Sequence, residues 1–265
     1  MSYIKTNKAA WEEAFERRHK NWGDENYIIL KNEKLPFFNH GIRKELEKKD
    51  LKNKTVAQFC CNNGRELLSL MRLGAKKGIG FDIAENIIAQ AEDTAIKADI
   101  ANCEFIACNV LDIPADYYDS FDFIFFTVGA ITWFEDLSLL FDKVSKCLKP
   151  NGTVLINDFH PLVNMLPLPD EEAFDKNSPN RLVHSYFRKE PWIENNGMGY
   201  MSGEYLSKTF TSFSHTMSDI INSLSASGLV TIKLNENDFD IGITDVYNDK
   251  GFPLSFTLIA RKCQF

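Results

Sequence analysis

The sequence of 265 residues lacks several features that would assign it directly to a functional class. No apolar run approaches the ~18 residues that a membrane-spanning helix requires. The first segment, MSYIKTNKAAWEEAF, has no apolar stretch typical of a signal peptide. There is no long run of basic residues, and the formal net charge is −7, which argues against a partner with a phosphate backbone. We therefore expect a cytoplasmic protein that binds neither membranes nor nucleic acids.

The six cysteines form no recognisable metal or redox motif. None belongs to a C-x-x-C pair, and none has a histidine at the spacing of a zinc site. Several lie within apolar patterns, where a free thiol packs as a small hydrophobic side chain. We therefore expect reduced cysteines and no metal site.

The composition that remains, 44% hydrophobic and 25% charged residues, is ordinary for a globular domain. From Leu51 onward, short apolar segments alternate with segments of helical period. We predict strands over 55–59, 78–83, 104–108, 121–127 and 153–159, and helices over 65–73, 85–97 and 137–148. Such alternation is typical of a doubly wound, parallel sheet with right-handed crossovers.

Residues 1–50 precede this alternation, and their apolar spacing predicts helices over 7–20 and 37–49. We interpret residues 1–50 as a helical lid over a ligand cleft and residues 51–265 as the core domain. A helical pair packed on the edge of the domain is the alternative.

The alternation stops again after residue 160. Residues 161–214 are rich in Pro, Asn, Ser and aromatic residues, with weak strand patterns near 183–188 and 204–211. We interpret this segment as a hairpin-like insertion that caps a substrate site.

The last part of the chain predicts a helix over 217–227 and strands over 230–234 and 254–260. No helix separates these two strands, so we expect them to pair antiparallel. The predicted fold class is therefore α/β: a doubly wound, Rossmann-like sheet of seven strands, mostly parallel with an antiparallel final strand. N-terminal helices and an insertion between strands five and six complete it.

The stretch over 55–82 has the outline of a nucleotide-binding unit. A buried strand enters the turn Cys61-Asn62-Asn63-Gly64, and a helix follows at once. Such a turn presents backbone N–H groups at a helix N-terminus, where they bind anionic or polar ligands. The second strand ends on Asp82, a carboxylate placed to accept both hydroxyls of a ribose.

The order of these strands resembles that of the class I S-adenosylmethionine-dependent methyltransferases, over about residues 51–158 and 215–262. In that family the first strand carries an acid and leads into a Gly-x-Gly-x-Gly loop. Here Gln58 stands at the acid, Cys60 and Asn62 stand at two of the glycines, and Gly64 is retained. The resemblance implies S-adenosylmethionine as cofactor, in contact with these four residues.

The resemblance also assigns later residues to the cofactor. Asp82 would bind the ribose, and Ile83 would pack on the adenine. The positions that match the adenine-edge motif and the motif beneath the sulfonium are Asn109, Val110, Thr127 and Val128.

Methyl transfer from a sulfonium is an in-line displacement in which the protein mainly aligns the acceptor, so a strict catalytic motif is not required. His160 is the candidate general base because strand ends line the crevice of such sheets, and Asp158 is the second candidate. A hydrogen-bonded loop residue is the alternative for His160. Aromatic or cationic residues near the predicted lid and cap are candidate substrate contacts: Trp11, Tyr27, Trp133, Arg188, Trp192 and Tyr205.

Two of these substrate candidates carry further expectations. Arg188 beside aromatic residues would suit an anionic or aromatic small molecule. Trp133 could instead anchor the helix that follows it on the sheet.

Three functions fit these features. The first is methyl transfer from S-adenosylmethionine to a small molecule. The second is an NAD-dependent dehydrogenase, although the sequence has no G-x-G-x-x-G and its final strand is predicted antiparallel. The third is a non-catalytic nucleotide-binding module, which the altered glycine loop and Gln58 would suit.

Overall fold

The computed structural model describes residues 2–169, 171–179 and 181–263. The helices are α1 (Ser2–Glu16), α2 (Asn26–Asn32), α3 (His40–Glu47), α4 (Arg65–Met71), α5 (Glu85–Lys97), α6 (Leu137–Cys147), α7 (Gly199–Ser202) and α8 (Met217–Ala226). The strands are β1 (Thr55–Phe59), β2 (Lys77–Asp82), β3 (Cys103–Ala107), β4 (Phe121–Phe126), β5 (Leu148–Phe159), β6 (Trp192–Glu194), β7 (Gly197–Met198), β8 (Gly203–Glu204), β9 (Phe210–Ser212), β10 (Leu229–Asn237) and β11 (Ser255–Lys262).

A seven-stranded sheet in the order β10-β11-β5-β4-β1-β2-β3 organises the molecule. The five strands from β5 to β3 run parallel, whereas β11 pairs antiparallel with both β5 and β10. The predicted fold class is confirmed, including the antiparallel pairing of the last two strands. Because the parallel strands share one direction, the carboxyl ends of β1, β2, β3 and β4 lie along one edge of the sheet.

Each face of the sheet is covered by helices, so the central strands are buried on both sides. Phe59 on β1 illustrates the packing, since its ring centroid lies 5.5 Å from that of Phe81 and 5.7 Å from that of Phe126. Burial of each such ring contributes roughly 1.5–3 kcal/mol. Helices α6 and α8 cover this face, and α3, α4 and α5 cover the other.

Two predicted boundaries are wrong for identifiable reasons. Strand β5 begins at Leu148, five residues before the predicted start at 153, because Leu148 pairs with Phe121 before the register shifts. Helix α3 begins at His40 instead of residue 37, because the Asn39 side chain accepts hydrogen bonds from the backbone N–H groups of the first turn at 3.0 and 3.1 Å.

The N-terminal fifty residues divide into two structural roles. Helix α1 spans Ser2–Glu16, not 7–20, and it packs against β9 and α5. Helix α2 was not predicted. Leu30 on α2, together with Ile42 and Leu46 on α3, is buried in the core cluster on one face of the sheet. Helices α2 and α3 therefore pack on the sheet, whereas α1 packs on the insertion and on α5.

The insertion after β5 contains two small antiparallel sheets, β6–β9 and β7–β8. The predicted strand near 183–188 is wrong. The Val183 and His184 N–H groups both donate to the Met165 carbonyl, at 2.8 and 3.2 Å, which ties this segment to the short helix Pro161–Met165. No helix within the described ranges is long and apolar enough to cross a membrane.

Candidate functional site

A cleft of about 590 Å³ opens at the carboxyl ends of β1, β2, β3 and β4. It is lined by the loops after these strands, by α1, by Tyr200 of the insertion, and by residues between 22 and 42 and at 241–242. Nine of the ten predicted cofactor residues line it: Gln58, Cys60, Asn62, Asp82, Ile83, Asn109, Val110, Thr127 and Val128. The fold thus brings together side chains that are up to seventy positions apart in sequence.

The loop between β1 and α4 has a left-handed backbone at alternate residues. The φ angle is 56° at Cys60, 48° at Asn62 and 71° at Gly64. This conformation costs a non-glycine residue about 1–2 kcal/mol, and less for asparagine. The three positions that correspond to glycines in the family motif are therefore all left-handed here, and two of them carry a small thiol and an amide.

Gly64, the tenth predicted cofactor residue, does not line the cleft. A Cβ at this position would lie 2.3 Å from the Phe105 ring and 3.0 Å from the Ala91 side chain. Glycine is therefore required here by packing beneath the loop as well as by the positive φ angle.

Asp82 is fixed at the edge of the cleft by two backbone hydrogen bonds. The Asn62 N–H donates to Oδ2 at 2.8 Å, and the Ala84 N–H donates to Oδ1 at 3.2 Å. Burial raises the pKa of Asp82, and the N–H donors oppose this shift. A carboxylate has about four acceptor sites, so capacity for a pair of ligand hydroxyls remains.

At the far end of the cleft, Asn109 caps the short helix Val110–Asp112. Its Oδ1 accepts from the Leu111 N–H at 3.3 Å, and its Nδ2 donates to Asp112 at 3.0 Å. The Val110 N–H is the first of the helix and so has no partner within it. This group and the second lone pair of Asn109 Oδ1 are the polar atoms offered to a base at this end.

Gln58 is buried and ties three elements together. Its Nε2 donates to Thr127 Oγ1 at 3.0 Å, and its Oε1 accepts from the Leu67 N–H at 3.1 Å. The amide both donates and accepts, which a carboxylate could not do in this place. The contact between Gln58 Oε1 and the methionyl ammonium stays a prediction. Because Oε1 accepts one hydrogen bond in the protein, its second lone pair remains for this contact.

Several residues of the cleft had no clear signal in the sequence. Tyr200 from α7 lines it, and its hydroxyl accepts from Asn62 Nδ2 at 3.3 Å. Arg65 and Glu66 at the start of α4 also line it, with 2.9 Å between Nε and Oε1. Tyr200 could not be found from the sequence because the insertion has no regular period.

The substrate candidates divide between the cleft and other places. Trp11 and Trp133 line the cleft and contact each other edge to face, with ring centroids 5.4 Å apart. Tyr27 lies elsewhere, on α2, between the ammonium groups of Lys31 and Lys97 at 6.0 and 5.9 Å from its ring centroid. The expectation that Tyr27 contacts the ligand is therefore corrected.

Arg188 and Tyr205 also lie outside the cleft. The Arg188 guanidinium donates to the carbonyls of Glu190 and Pro191 and stacks on Trp192, 3.9 Å from the ring centroid. Tyr205 lies beneath the guanidinium of Arg17 at 4.7 Å. Arg188 and Tyr205 are thus engaged in contacts within the insertion and between the insertion and the N-terminal segment. The expectation of an anionic ligand, which depended on Arg188, has no support from its position.

His160 does not line the cleft, and both of its ring nitrogens have protein partners. Nδ1 accepts from the Leu162 N–H at 3.1 Å, so Nε2 carries the proton that it shares with Glu236 at 2.9 Å. Burial lowers the pKa of His160 more than Glu236 raises it. His160 caps the turn after β5, and its assignment as the general base is corrected.

Asp158 accepts backbone hydrogen bonds from the loop that follows β4 and from its own neighbour on β5. The Gly129, Phe159 and Ile131 N–H groups donate to it at 2.6, 2.8 and 3.3 Å. Burial raises its pKa to about 6 against the effect of these donors. Asp158 therefore shapes the loop at the end of the cleft.

A second cavity of about 310 Å³ adjoins the cleft. Gly129, Trp133 and Phe159 line both spaces, and Asp158 and Trp192 line the second. All six cysteines are free, and the described part of the chain contains no cluster of His, Cys, Asp and Glu that could hold a metal ion.

Comparisons with known proteins agree with this geometry. Residues 50–201, more than half of the chain, match the family model of a methyltransferase domain. An uncharacterised protein of Haemophilus influenzae is 24% identical over 183 residues, and the match covers 66% of this chain and 66% of that protein, about two thirds of its length.

Solved structures share the fold. A putative S-adenosylmethionine-dependent methyltransferase from Listeria monocytogenes has a TM-score of 0.66 at 20% identity, over 84% of this chain and 99% of that one. Geranyl diphosphate C-methyltransferase from Streptomyces coelicolor, solved with S-adenosylhomocysteine, has a TM-score of 0.62 at 12% identity, over 99% of this chain and 98% of that one. The chain therefore belongs to the methyltransferase-domain family and has the class I, S-adenosylmethionine-dependent architecture that its sequence predicts.

Proposed function

We propose that the cleft binds S-adenosylmethionine and that the protein transfers the methyl group to a small molecule in the cytoplasm. The observation that carries this proposal is the left-handed loop over 60–64, in which the Asn62 N–H donates to the Asp82 carboxylate at 2.8 Å at the edge of the cleft. The cofactor, once bound, supplies an activated methyl group. The residues of this chain supply its position and an environment from which water is largely excluded.

Each end of the cleft has a separate role in this proposal. Asp82 binds the ribose, and Ile83, Asn109 and Val110 enclose the adenine. Gln58 holds Thr127 in place through its amide, which aligns the end of β4 beneath the methionyl part. Correct alignment of acceptor and methyl group supplies much of the rate in such reactions, so no charged nucleophile is needed in the protein.

The lid and insertion support a small acceptor. Trp11 on α1 contacts Trp133 and Phe210, with ring centroids 5.4 and 5.6 Å away, so lid and insertion meet over the cleft. A closed wall of this kind admits a small molecule more readily than a macromolecular chain. The net charge of −7 adds to the argument against a nucleic acid.

Formation of S-adenosylhomocysteine is the direct test. The full chain is incubated with S-adenosylmethionine and with a cell extract divided by ultrafiltration into small molecules and macromolecules. We expect product only with the small-molecule fraction. Product only with the macromolecular fraction would contradict the proposed acceptor class, and cofactor binding without turnover in either would favour a non-catalytic module.

A further inference from the structure

The second cavity and the cleft share three of their lining residues. Gly129, Trp133 and Phe159 line both spaces, and Gly129 follows Thr127 and Val128 of the proposed cofactor site, three residues after the end of β4. A Cβ at Gly129 would meet no atom within 4 Å. A molecule in the second cavity would therefore lie next to the proposed cofactor site, with open space at Gly129 between them.

The charges of this cavity have one sign. The carboxylates of Asp158 and Glu171 line it, and no lysine or arginine does so among the residues that the structure describes. The neighbouring Arg188 has its guanidinium on the Trp192 ring and donates to backbone carbonyls. Carboxylates in a partly enclosed space favour a cationic ligand and disfavour an anionic one.

A histidine in this cavity has one nitrogen available. His184 Nε2 lies 2.8 Å from Glu171 Oε2, and the ring packs edge-on against Trp192 with centroids 4.9 Å apart. Nδ1 has no hydrogen-bond partner within the described ranges. The Glu171 carboxylate favours the tautomer with the proton on Nε2, which leaves Nδ1 as an acceptor.

The apolar part of the lining has the size for the body of a small molecule. Leu166, Ile220 and Ile243 form it, together with the aromatic ring of Phe213. A volume of about 310 Å³ is at the lower end of the range of small-ligand sites.

We propose that the second cavity holds the methyl acceptor and that this acceptor is an amine with an apolar body. The inference rests on the proposed function. The amine enters as an ammonium ion held by Glu171, and its proton passes to His184 Nδ1, directly or through water. The nitrogen lone pair then forms the bond to the methyl carbon while the carbon–sulfur bond breaks and its electron pair stays on sulfur.

Calorimetry with three ligands of one carbon skeleton tests the charge preference on the unmodified chain. The protein is saturated with S-adenosylhomocysteine and titrated with 2-phenylethylamine, 2-phenylethanol and phenylacetate. We expect the amine to bind about tenfold tighter than the alcohol, since a charge-assisted hydrogen bond is added, and the carboxylate to bind weakest. Equal affinity of amine and alcohol, or tighter binding of the carboxylate, would overturn the proposal.

Substitutions in the second cavity test whether the amine binds there. Glu171→Gln should weaken amine binding about tenfold, whereas the exposed neighbour Glu172→Gln has the same change of net charge and should not. Asn164→Trp, at a position that lines only the second cavity, should abolish amine binding and leave the affinity for S-adenosylhomocysteine unchanged. If the amine binds Asn164→Trp as before, the acceptor lies elsewhere. If the unmodified protein fails to bind S-adenosylhomocysteine, the proposed function itself is wrong.

Discussion

At the scale of single residues, the loop after β1 shows two separate reasons for a glycine: a positive φ angle and a lack of space for a Cβ atom. Cys60, Asn62 and Gly64 all have positive φ angles, but Gly64 is the one whose Cβ would collide with Phe105 at 2.3 Å. The family pattern therefore tolerates substitution where the loop faces the cleft. It requires glycine where the loop packs on the protein.

Gly64→Ala should lower the free energy of unfolding by about 2–4 kcal/mol, because left-handed strain and overpacking add. Gly74→Ala is the matched control, since Gly74 also has a positive φ angle of 90° but no atom within 4 Å of a Cβ. Gly74→Ala should lower the free energy of unfolding only by the strain of the left-handed backbone, about 1–2 kcal/mol. Urea unfolding of both variants measures the difference, and equal losses would show that the Phe105 contact is unimportant.

The buried carboxyl group of Asp158 makes the free energy of unfolding depend on pH. Burial raises its pKa to about 6 in the folded protein, from the ordinary value of 3.8 for an aspartate. The folded state therefore holds the proton more tightly than the unfolded state, and stability falls as pH rises from about 4 to about 6. Relative to Asp158→Asn, the unmodified protein should lose about 3 kcal/mol over this range. Urea unfolding at several pH values tests this, and a constant difference between the two proteins would contradict it.

At the scale of secondary-structure elements, α1 is held to the insertion by a buried asparagine. Asn7 Nδ2 donates to the Thr211 carbonyl and Asn7 Oδ1 accepts from the Thr211 N–H, both at 2.8 Å. The side chain thus pairs with the backbone of β9 as a neighbouring strand would. Because α1 forms part of the cleft wall, this contact connects lid position to ligand binding.

Asn7→Ala should release α1 from β9 and weaken the binding of S-adenosylhomocysteine by about tenfold, while faster hydrogen exchange appears in α1. Thr6→Ala is the control, because Thr6 is exposed and bonds only within the helix. Protection of α1 that is the same in both variants would argue against Asn7 as the attachment of the lid.

The elements also show what the sequence could predict. The strands and helices from β1 to β5 follow from the sequence, because the helices bury one periodic apolar face on the sheet and the central strands are short apolar runs buried on both faces. The insertion does not, because β6 to β9 are two or three residues long and depend on single contacts such as that of Asn7. Most of the residues predicted to contact the cofactor line the cleft, since they lie at or just after strand ends. Tyr200 and the environment of His160 instead depend on the insertion and on β10.

At the scale of the whole molecule, the strand order distinguishes the methyltransferase from the NAD-dependent dehydrogenase, which both have a Rossmann-like sheet. Strand β11 lies antiparallel between β5 and β10 at the edge beyond the cleft, and residues 50–201 match a methyltransferase domain. We therefore expect no binding of NADH. A fluorescence titration measures this, and saturable binding in the micromolar range would revive the dehydrogenase alternative.

The central claim is that the cleft holds the adenosine part of S-adenosylmethionine through Asp82. Calorimetry of Asp82→Ala with S-adenosylhomocysteine tests it most directly, with Asp142→Ala as control because Asp142 is an exposed residue of α6 that pairs with Lys146. Loss of hydrogen bonds to a carboxylate should weaken binding about 10- to 100-fold in Asp82→Ala and leave Asp142→Ala unchanged. Circular dichroism confirms that both variants are folded. An affinity of Asp82→Ala equal to that of the unmodified protein would contradict the account.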